Sequence, residues 1–277
     1  MATPRLASLE LPGADGGPLY VDVRSGARPG EARPAVVICH GFKGFKDWGF
    51  FPTVAERLAL AGFTAVTFNL SGSGVTPGSD VVDRLDRWFD QRLSDDLADL
   101  ETVVGHCAAA GAPWIGLVGH SRGGALTVLQ AARDARVRAL VTWSAVAGFL
   151  RYTPEELAEW RARGRRDVVN ARTGQVLPMG LRGLDDLEAH SSGSLDVLAA
   201  AGRMAVPWLI AHGTADESVP EKEADLLQRA SGSPRTERLR VLGAGHTFGA
   251  RHPWAGSTPE LDEVMARTAR FLGEALG

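Results

Sequence analysis

Unbroken apolar runs, rich in β-branched residues, recur along this chain and alternate with segments of helical character. A run without polar alternation is typical of a parallel strand that is buried on both faces. These runs cover residues 35–39, 64–68, 115–118, 139–143 and 208–211. Residues 19–23 instead alternate apolar and polar side chains, which predicts an antiparallel strand, and residues 238–242 predict the last strand.

Helical segments lie between the strand candidates. Apolar residues at helical spacing, or a high content of helix-forming residues, predict helices over 51–60, 93–110, 124–132 and 220–230, the last with Pro220 in its first turn. Strands that alternate with helices favour a mainly parallel sheet covered by helices. We therefore expect the α/β class, with a glycine- and proline-rich loop over 24–34.

One stretch interrupts this alternation between two strand candidates. Thr153 and Glu156 have capping-box spacing with Pro154 at the first helical position, and a turn over 170–175 separates two short apolar pairs that predict a hairpin. We expect residues 149–203 to form a cap on a core built from 1–148 and 204–277.

Composition limits the classes of partner. The 277 residues have a formal net charge of −3, with 44% hydrophobic and 23% charged residues, so the chain lacks the field that nucleic acid or an anionic membrane requires. The N-terminus has no apolar segment of a secretory signal, which favours a cytoplasmic protein without a membrane span. Cys39 and Cys107 are too few for a disulfide scaffold and are expected to be buried, and no motif for a metal or another cofactor is present.

The most specific chemical motif is G-x-S-x-G at residues 119–123, directly after a predicted strand and before a predicted helix. In that context the serine stands on a sharp turn that projects its hydroxyl from the sheet, and Gly119, Gly123 and Gly124 relieve the crowding. Alone, the motif also fits a helix N-cap serine after a glycine turn. Its flanks favour Ser121 as a nucleophile.

A serine nucleophile needs a base and a carboxylate that orients the base. Asp216 follows the strand at 208–211, and His246 lies in a glycine loop after the last predicted strand, so the order is serine, acid, histidine. Glu217 is the best substitute acid, and a structural role is expected for His212. Asp95, Asp96 and Asp99 lie on a predicted helix, where we expect them on a solvated face.

Acyl transfer also requires donors for the oxyanion, and two backbone N–H groups are the usual ones. The loop at 40–44 follows the first predicted parallel strand, which suggests the N–H of Phe42 as one donor and the N–H of Arg122, after the nucleophile, as the other. The turn at 69–74 does not match a nucleotide-binding spacing and is expected at the rim of the site.

Two further features have ordinary explanations. The basic run at 161–166 predicts a solvated helix face, with a phosphate or partner patch as the alternative. Trp143, Trp160 and Trp208 are expected in packing, although aromatic walls would also suit a hydrophobic acyl or aryl group.

With these motifs the chain resembles the α/β-hydrolase superfamily from about Val21 onward. Within that superfamily it is most similar to bacterial feruloyl or cinnamoyl esterases and to serine relatives of dienelactone hydrolases, although dienelactone hydrolases have cysteine where this chain has Ser121. The resemblance implies a small cap before the seventh strand, triad chemistry by Ser121, Asp216 and His246, and no cofactor.

The sequence thus predicts a serine carboxylic ester hydrolase with a small-molecule ester as substrate. The same groups would also serve a peptidase, a thioesterase or an acyltransferase. A ligand-binding protein that kept the pocket without turnover is the alternative outside enzymes.

Overall fold

An eight-stranded sheet, parallel across its centre, forms the middle layer of the molecule. The computed structural model describes residues 3–28 and 31–275; Met1 and Ala2 of the N-terminal segment, Pro29 and Gly30 of the predicted loop, and the last two residues of the predicted core lie outside them. In chain order the strands are β1 (Arg5–Pro12), β2 (Pro18–Ser25), β3 (Ala35–Cys39), β4 (Thr64–Phe68), β5 (Ile115–His120), β6 (Val137–Trp143), β7 (Arg165–Val169), β8 (Val176–Gly180), β9 (Trp208–Gly213) and β10 (Thr236–Val241).

The order of the strands in the main sheet is β1-β2-β4-β3-β5-β6-β9-β10. The six strands from β4 to β10 run parallel, whereas β2 pairs antiparallel with both β1 and β4. Every residue of β3, β5 and β9 is buried, because helices cover both faces of the sheet. Because these strands run parallel, their carboxyl ends meet at one edge of the sheet, which is where ligands bind to open parallel sheets.

Helices pack on both faces of this sheet. In the described residues they are α1 (Phe51–Leu60), α2 (Leu85–Phe89), α3 (Leu93–Ala109), α4 (Arg122–Ala131), α5 (Pro154–Arg163), α6 (Leu181–His190), α7 (Val197–Gly202), α8 (Lys222–Ala230) and α9 (Pro259–Glu274). One hydrophobic core lies between the sheet and α3, α4, α7 and α8, and a second lies between the sheet and α1 and α9. The α/β class and the mostly parallel sheet that the sequence predicts are confirmed.

Some elements differ from the sequence predictions. β1 is an edge strand whose side chains are mostly exposed, so it lacks the apolar signal by which the central strands were recognised. The helix predicted from Pro220 begins only at Lys222, after Glu221 as the N-cap residue. The long helix α9, on Thr258 as its N-cap, also lies beyond the predicted set.

The segment at 149–203 contains α5, the β7–β8 hairpin, α6 and α7. Thr153 and Glu156 form the capping box that the spacing predicts, with Pro154 in the first turn. Val169 and Val176 pair across the predicted hairpin, which is a separate two-stranded sheet. The division of the chain into a core and a cap over these residues stays a prediction.

The expected solvated face for the carboxylates of α3 is wrong at two of three positions. Asp96 and Asp99 are buried, at 1% and 0% exposure, while Asp95 is half-buried and pairs with Arg92. Asp99 accepts hydrogen bonds from the backbone N–H groups of Ala14 and Ser71, at 2.8 and 2.7 Å. The helix lies between the sheet and neighbouring loops, so Asp99 satisfies buried N–H groups instead of meeting water, whereas Asp96 is buried with Arg122 at 3.2 Å as its charged neighbour.

The basic run at 161–166 lies on α5 and β7, and most of its side chains are exposed to solvent. Arg161 pairs with Asp185 and Glu188, and Arg163 pairs with Glu159 at 3.0 Å, all of them exposed. Across residues 3–28 and 31–275, no helix combines the length and the apolar character that crossing a bilayer requires.

Candidate active site

Ser121 stands on the turn between β5 and α4. Its backbone has φ 57° and ψ −122°, an unusual conformation for a residue with a side chain. Such backbone strain costs about 1–3 kcal/mol and is concentrated at functional sites. The serine therefore stands at the carboxyl edge of the sheet in the conformation that the motif predicts.

Glycines make this turn sterically possible. A Cβ at Gly123 would lie 2.3 Å from the carbonyl oxygen of His40, and one at Gly119 would lie 2.3 Å from Oγ1 of Thr127. A Cβ at Gly124 would lie 2.5 Å from that of Ala145. Any side chain at these three positions would push β5, α4 and the neighbouring loops apart.

The structure brings Ser121, His246 and Asp216 together from three separate loops. Nε2 of His246 lies 3.0 Å from Oγ of Ser121, and Nδ1 of His246 lies 2.8 Å from Oδ2 of Asp216. A carboxylate only accepts hydrogen bonds, so Nδ1 carries the proton and Nε2 is free to accept the hydroxyl proton. The imidazole thus stands between an acceptor and a hydroxyl donor.

Asp216 is held ionised by its surroundings. Burial by itself raises the pKa of Asp216, but hydrogen bonds from His212, His246 and the N–H of Val219 outweigh it and hold the pKa well below its usual range. The side chain of His212 is fully buried and donates to the carbonyl of Val219 at 2.7 Å, which fits its expected structural role. Glu217, the substitute acid in the sequence, is exposed to solvent.

A histidine that the sequence left unassigned supports the loop of His246. Nε2 of His120 donates to the backbone carbonyl of His246 at 3.0 Å, and the two rings lie 4.7 Å apart. Burial lowers the pKa of His120 to about 3, so the ring is neutral and keeps one acceptor and one donor nitrogen. The variable position before a motif serine carries no local signal of such a role.

The loop after β3 packs directly against Ser121. A Cβ at Gly41 would lie 2.8 Å from Cβ of Ser121, so the backbone approaches the serine as closely as it can. His40 fixes the start of this loop: Nδ1 donates to the carbonyl of Gly41 at 2.9 Å, and Nε2 accepts the N–H of Leu70 at 3.1 Å. Within the described residues, the N–H groups of Phe42 and Arg122 donate to no protein acceptor.

Comparison with known proteins places the chain in a family. A family model described as alpha/beta hydrolase fold matches residues 34–181, more than half of the chain. This protein belongs to the alpha/beta hydrolase fold family. No curated protein matches the sequence of this α/β hydrolase significantly.

Solved structures share the fold along nearly the whole α/β hydrolase chain. Est1E from Butyrivibrio proteoclasticus, in a structure with bound ferulic acid, has a TM-score of 0.75 at 20% identity and covers 97% of this chain and 99% of its own. A monoacylglycerol lipase from Paleococcus ferrophilus has a TM-score of 0.68 at 18% identity, over 93% and 99% of the two chains. The esterase domain of a Rhodothermus marinus protein has a TM-score of 0.65 at 18% identity, over 98% and 97%.

A cavity of about 510 Å³ in this α/β hydrolase opens beside Ser121 and His246. This volume is in the range of pockets for small molecules. Residues from 149–203 supply much of its apolar wall, and residues from the rest of the chain supply the remainder. The apolar and aromatic lining comprises Phe42, Leu93, Val146, Phe149, Tyr152, Trp160, Met179, Leu187 and Val219.

Arg122 connects this cavity of the α/β hydrolase to the buried carboxylate of Asp96. Its guanidinium lies 3.2 Å from Asp96, donates to Oε1 of Gln91 at 2.9 Å and stacks on the ring of Phe42 with 4.9 Å to the ring centroid. Burial raises the pKa of Asp96 to about 7, against the attraction of Arg122. The two residues suggested as oxyanion donors therefore contact each other through their side chains.

Two remaining sequence expectations concern the surroundings of this site. The turn at 69–74 contacts Gln91 of the cavity wall through Gly72 but does not itself line the cavity within the described residues, so its expected place at the rim stays a prediction. Trp143 and Trp208 are buried in the two cores, whereas Trp160 packs under the hairpin and also lines the cavity. In the described part of the chain, no three His, Cys, Asp or Glu side chains are grouped to hold a metal ion.

Proposed function

We propose that this α/β hydrolase is a serine carboxylic ester hydrolase that works through an acyl-enzyme intermediate. The observation that carries the proposal is the hydrogen-bonded chain from Oγ of Ser121 through His246 to Asp216, at 3.0 and 2.8 Å, beside an open cavity. A serine hydroxyl is a weak nucleophile until a base accepts its proton, and this arrangement supplies the base and its orienting carboxylate.

In the first half of the reaction, Oγ of Ser121 attacks the ester carbonyl carbon while Nε2 of His246 accepts the hydroxyl proton. The imidazolium that forms stays paired with Asp216, whose lowered pKa keeps its charge at neutral pH. When the tetrahedral intermediate collapses, the proton passes from Nε2 to the leaving alcohol oxygen. The acyl group then remains on Ser121 as an ester.

Negative charge on the former carbonyl oxygen requires fixed donors. We propose the backbone N–H groups of Phe42 and Arg122 for this role, because both belong to loops that border Ser121 and both lack protein acceptors in the described residues. Losing one such donor typically costs about 10²–10³ in turnover. In the second half, water attacks the acyl carbon with His246 as the base, and the carboxylic acid leaves.

Residues 149–203 act in this proposal as a cap that shapes the acyl site. Tyr152, Trp160, Met179 and Leu187 belong to this segment and line the cavity with Ser121. Aromatic and aliphatic walls favour an apolar or aryl group over a strongly hydrated one. Since Est1E binds ferulic acid on the same fold, an ester of that acid belongs in the substrate panel.

The test is hydrolysis of p-nitrophenyl acetate and butyrate by purified protein. Ser121→Ala and His246→Ala are each expected to lower kcat at least about 10³-fold, while Ser192→Ala, an exposed serine in the same chain, keeps wild-type turnover. Full turnover by Ser121→Ala contradicts the proposal. Matched thioester and amide substrates, and product analysis with added alcohol, separate an esterase from a thioesterase, a peptidase or an acyltransferase.

A further inference from the structure

The polar lining of the cavity beside Ser121 is cationic. Lys43, Arg92, Arg122 and Arg151 all line it, and within the described residues no aspartate or glutamate does. The rest of the wall is largely apolar, so the positive groups are the main source of charge around a bound molecule. Low-dielectric walls concentrate such a field and raise the local concentration of the opposite charge.

Three of these cations lie against carboxyl groups that are outside the lining. Nε of Arg92 lies 2.7 Å from Asp95, and Arg122 lies 3.2 Å from Asp96. Arg151 pairs with Glu223, whose other carboxylate oxygen accepts the N–H of Ala147. Their charges therefore stabilise the protein itself and are not available in full to a ligand.

Lys43 differs from the three arginines because it pairs with no carboxylate of the described residues. Its ammonium donates to the carbonyl of Val169 at 3.4 Å, which is longer than an ordinary N–H···O bond, and lies 5.8 Å from the centroid of the Phe42 ring. The residue is half-buried, and burial lowers the pKa of its ammonium. A bound anion would therefore stabilise the charged ammonium and offset the hydration that burial removes.

The backbone also holds Lys43 in an unusual conformation, at φ 59°. Residues other than glycine, asparagine and aspartate rarely adopt the left-handed region, which costs roughly 1–2 kcal/mol. The turn from Gly41 to Gly44 contains the proposed oxyanion donor Phe42, so this conformation directs the lysine into the wall of the same cavity. Strain of this kind, in the wall of a site, favours a ligand-binding role.

We propose that Lys43 is a specificity residue that binds a carboxylate on the substrate, so the preferred ester carries one anionic group in addition to the scissile bond. This inference rests on the proposed ester hydrolase function, because it assigns the substrate class of the same cavity. The anionic group belongs either to the acyl part or to the alcohol part of the ester. In both cases a carboxylate would pair with the ammonium of Lys43.

Two pairs of esters of matched shape distinguish these sources. On the acyl side, the mono-p-nitrophenyl ester of adipic acid is compared with p-nitrophenyl 6-methylheptanoate; on the alcohol side, 4-acetoxybenzoate is compared with 4-isopropylphenyl acetate. The quantity measured is the ratio of kcat/KM for the anionic ester to kcat/KM for its neutral partner, corrected for spontaneous hydrolysis. The wild-type ratio is expected to decrease as salt is added, because screening weakens the ion pair.

Lys43→Met is expected to lower that ratio by about tenfold or more for at least one pair, as the loss of a charged hydrogen bond predicts. Lys43→Arg keeps most of the ratio. Lys43→Asn provides a second neutral variant, because asparagine tolerates a positive φ. Lys222→Met removes an exposed lysine on α8, with the same change in net charge, and leaves the ratio unchanged.

If Lys43 only supports the hairpin, its substitution would lower kcat/KM equally for the anionic ester and its neutral partner. An unchanged ratio in Lys43→Met and Lys43→Asn therefore overturns the inference. If the wild-type protein hydrolyses the neutral esters without a preference for either anionic ester, the inference fails and the proposed ester hydrolase stands. If it hydrolyses none of the four, the proposed function itself fails.

Discussion

The backbone carbonyl of His246 accepts a hydrogen bond from Nε2 of His120, the residue immediately before Ser121, at 3.0 Å. The position of the proposed base is therefore coupled to the turn that carries the proposed nucleophile. A misplacement of about 1 Å can cost 10²-fold in rate, so this contact matters beyond its own stability.

His120→Phe is expected to lower kcat by roughly 10–100-fold with little change in KM, because the loop of His246 loses its donor while the cavity keeps its walls. His120→Gln retains an N–H donor and should recover part of that loss. Steady-state kinetics with p-nitrophenyl butyrate measures both, and His106→Gln on α3 serves as a remote control. Equal kcat in His120→Phe and wild type would show that the contact has no positioning role.

Asp216→Asn should lower kcat by about 10⁴-fold while the fold is kept. The amide N–H of asparagine can donate to Nδ1 of His246, which places the imidazole proton on Nε2. Nε2 is then no longer free to accept the proton of Ser121. Glu217→Gln is the matched control, since that side chain is exposed and one position along the same turn. A larger loss in Glu217→Gln than in Asp216→Asn would exchange the two assignments.

The buried carboxyl of Asp96 should make the free energy of unfolding depend on pH. Burial raises its folded-state pKa to about 7, while its unfolded-state pKa is about 3.9, so the folded chain binds more protons between these values. The contribution of Asp96 to the free energy of unfolding is therefore greatest below about pH 4 and is lost as the pH rises to about 7.

Asparagine at position 96 does not titrate. The free energy of unfolding of Asp96→Asn minus that of wild type should increase from pH 4 to pH 7 by up to about 4 kcal/mol, and should stay constant above. Urea unfolding at several pH values measures it, and taking the difference removes the titration of groups that do not interact with Asp96. A difference that stays flat between pH 4 and pH 7 for Asp96→Asn would contradict the prediction.

Two glycines should respond to alanine in opposite directions. At Gly123 a Cβ would lie 2.3 Å from the carbonyl oxygen of His40, so Gly123→Ala should destabilise the protein by about 3 kcal/mol and reduce turnover. At Gly105, inside α3, the nearest atom is Nη1 of Arg136 at 3.6 Å, so Gly105→Ala should stabilise the protein by up to about 1 kcal/mol. Thermal unfolding of both variants tests this; destabilisation of similar size at both would contradict it.

The sequence predicts the centre of this fold because its central strands are buried on both faces. β3, β5 and β9 stand out as uninterrupted apolar runs, whereas the exposed edge strand β1 has no comparable pattern. The order of Ser121, Asp216 and His246 along the chain also follows from motif and strand position, since the ends of parallel strands share an edge.

The surroundings of these three residues depend on contacts that no local pattern encodes. Asp96 and Asp99 have the appearance of helix surface residues, and only the packing of α3 against neighbouring loops buries them. His120 contacts a residue 126 positions away, and the carboxylate partners of the cavity arginines come from two different helices, α3 and α8. Such roles follow from tertiary structure alone.

Covalent labelling with a fluorophosphonate, followed by mass spectrometry of the digested protein, tests Ser121 as the nucleophile. We expect a single stoichiometric adduct on the peptide that carries Ser121, no adduct in Ser121→Ala, and labelling at least about 100-fold slower in His246→Ala. A wild-type protein that stays unlabelled, or an adduct on a different serine, would contradict this role of Ser121.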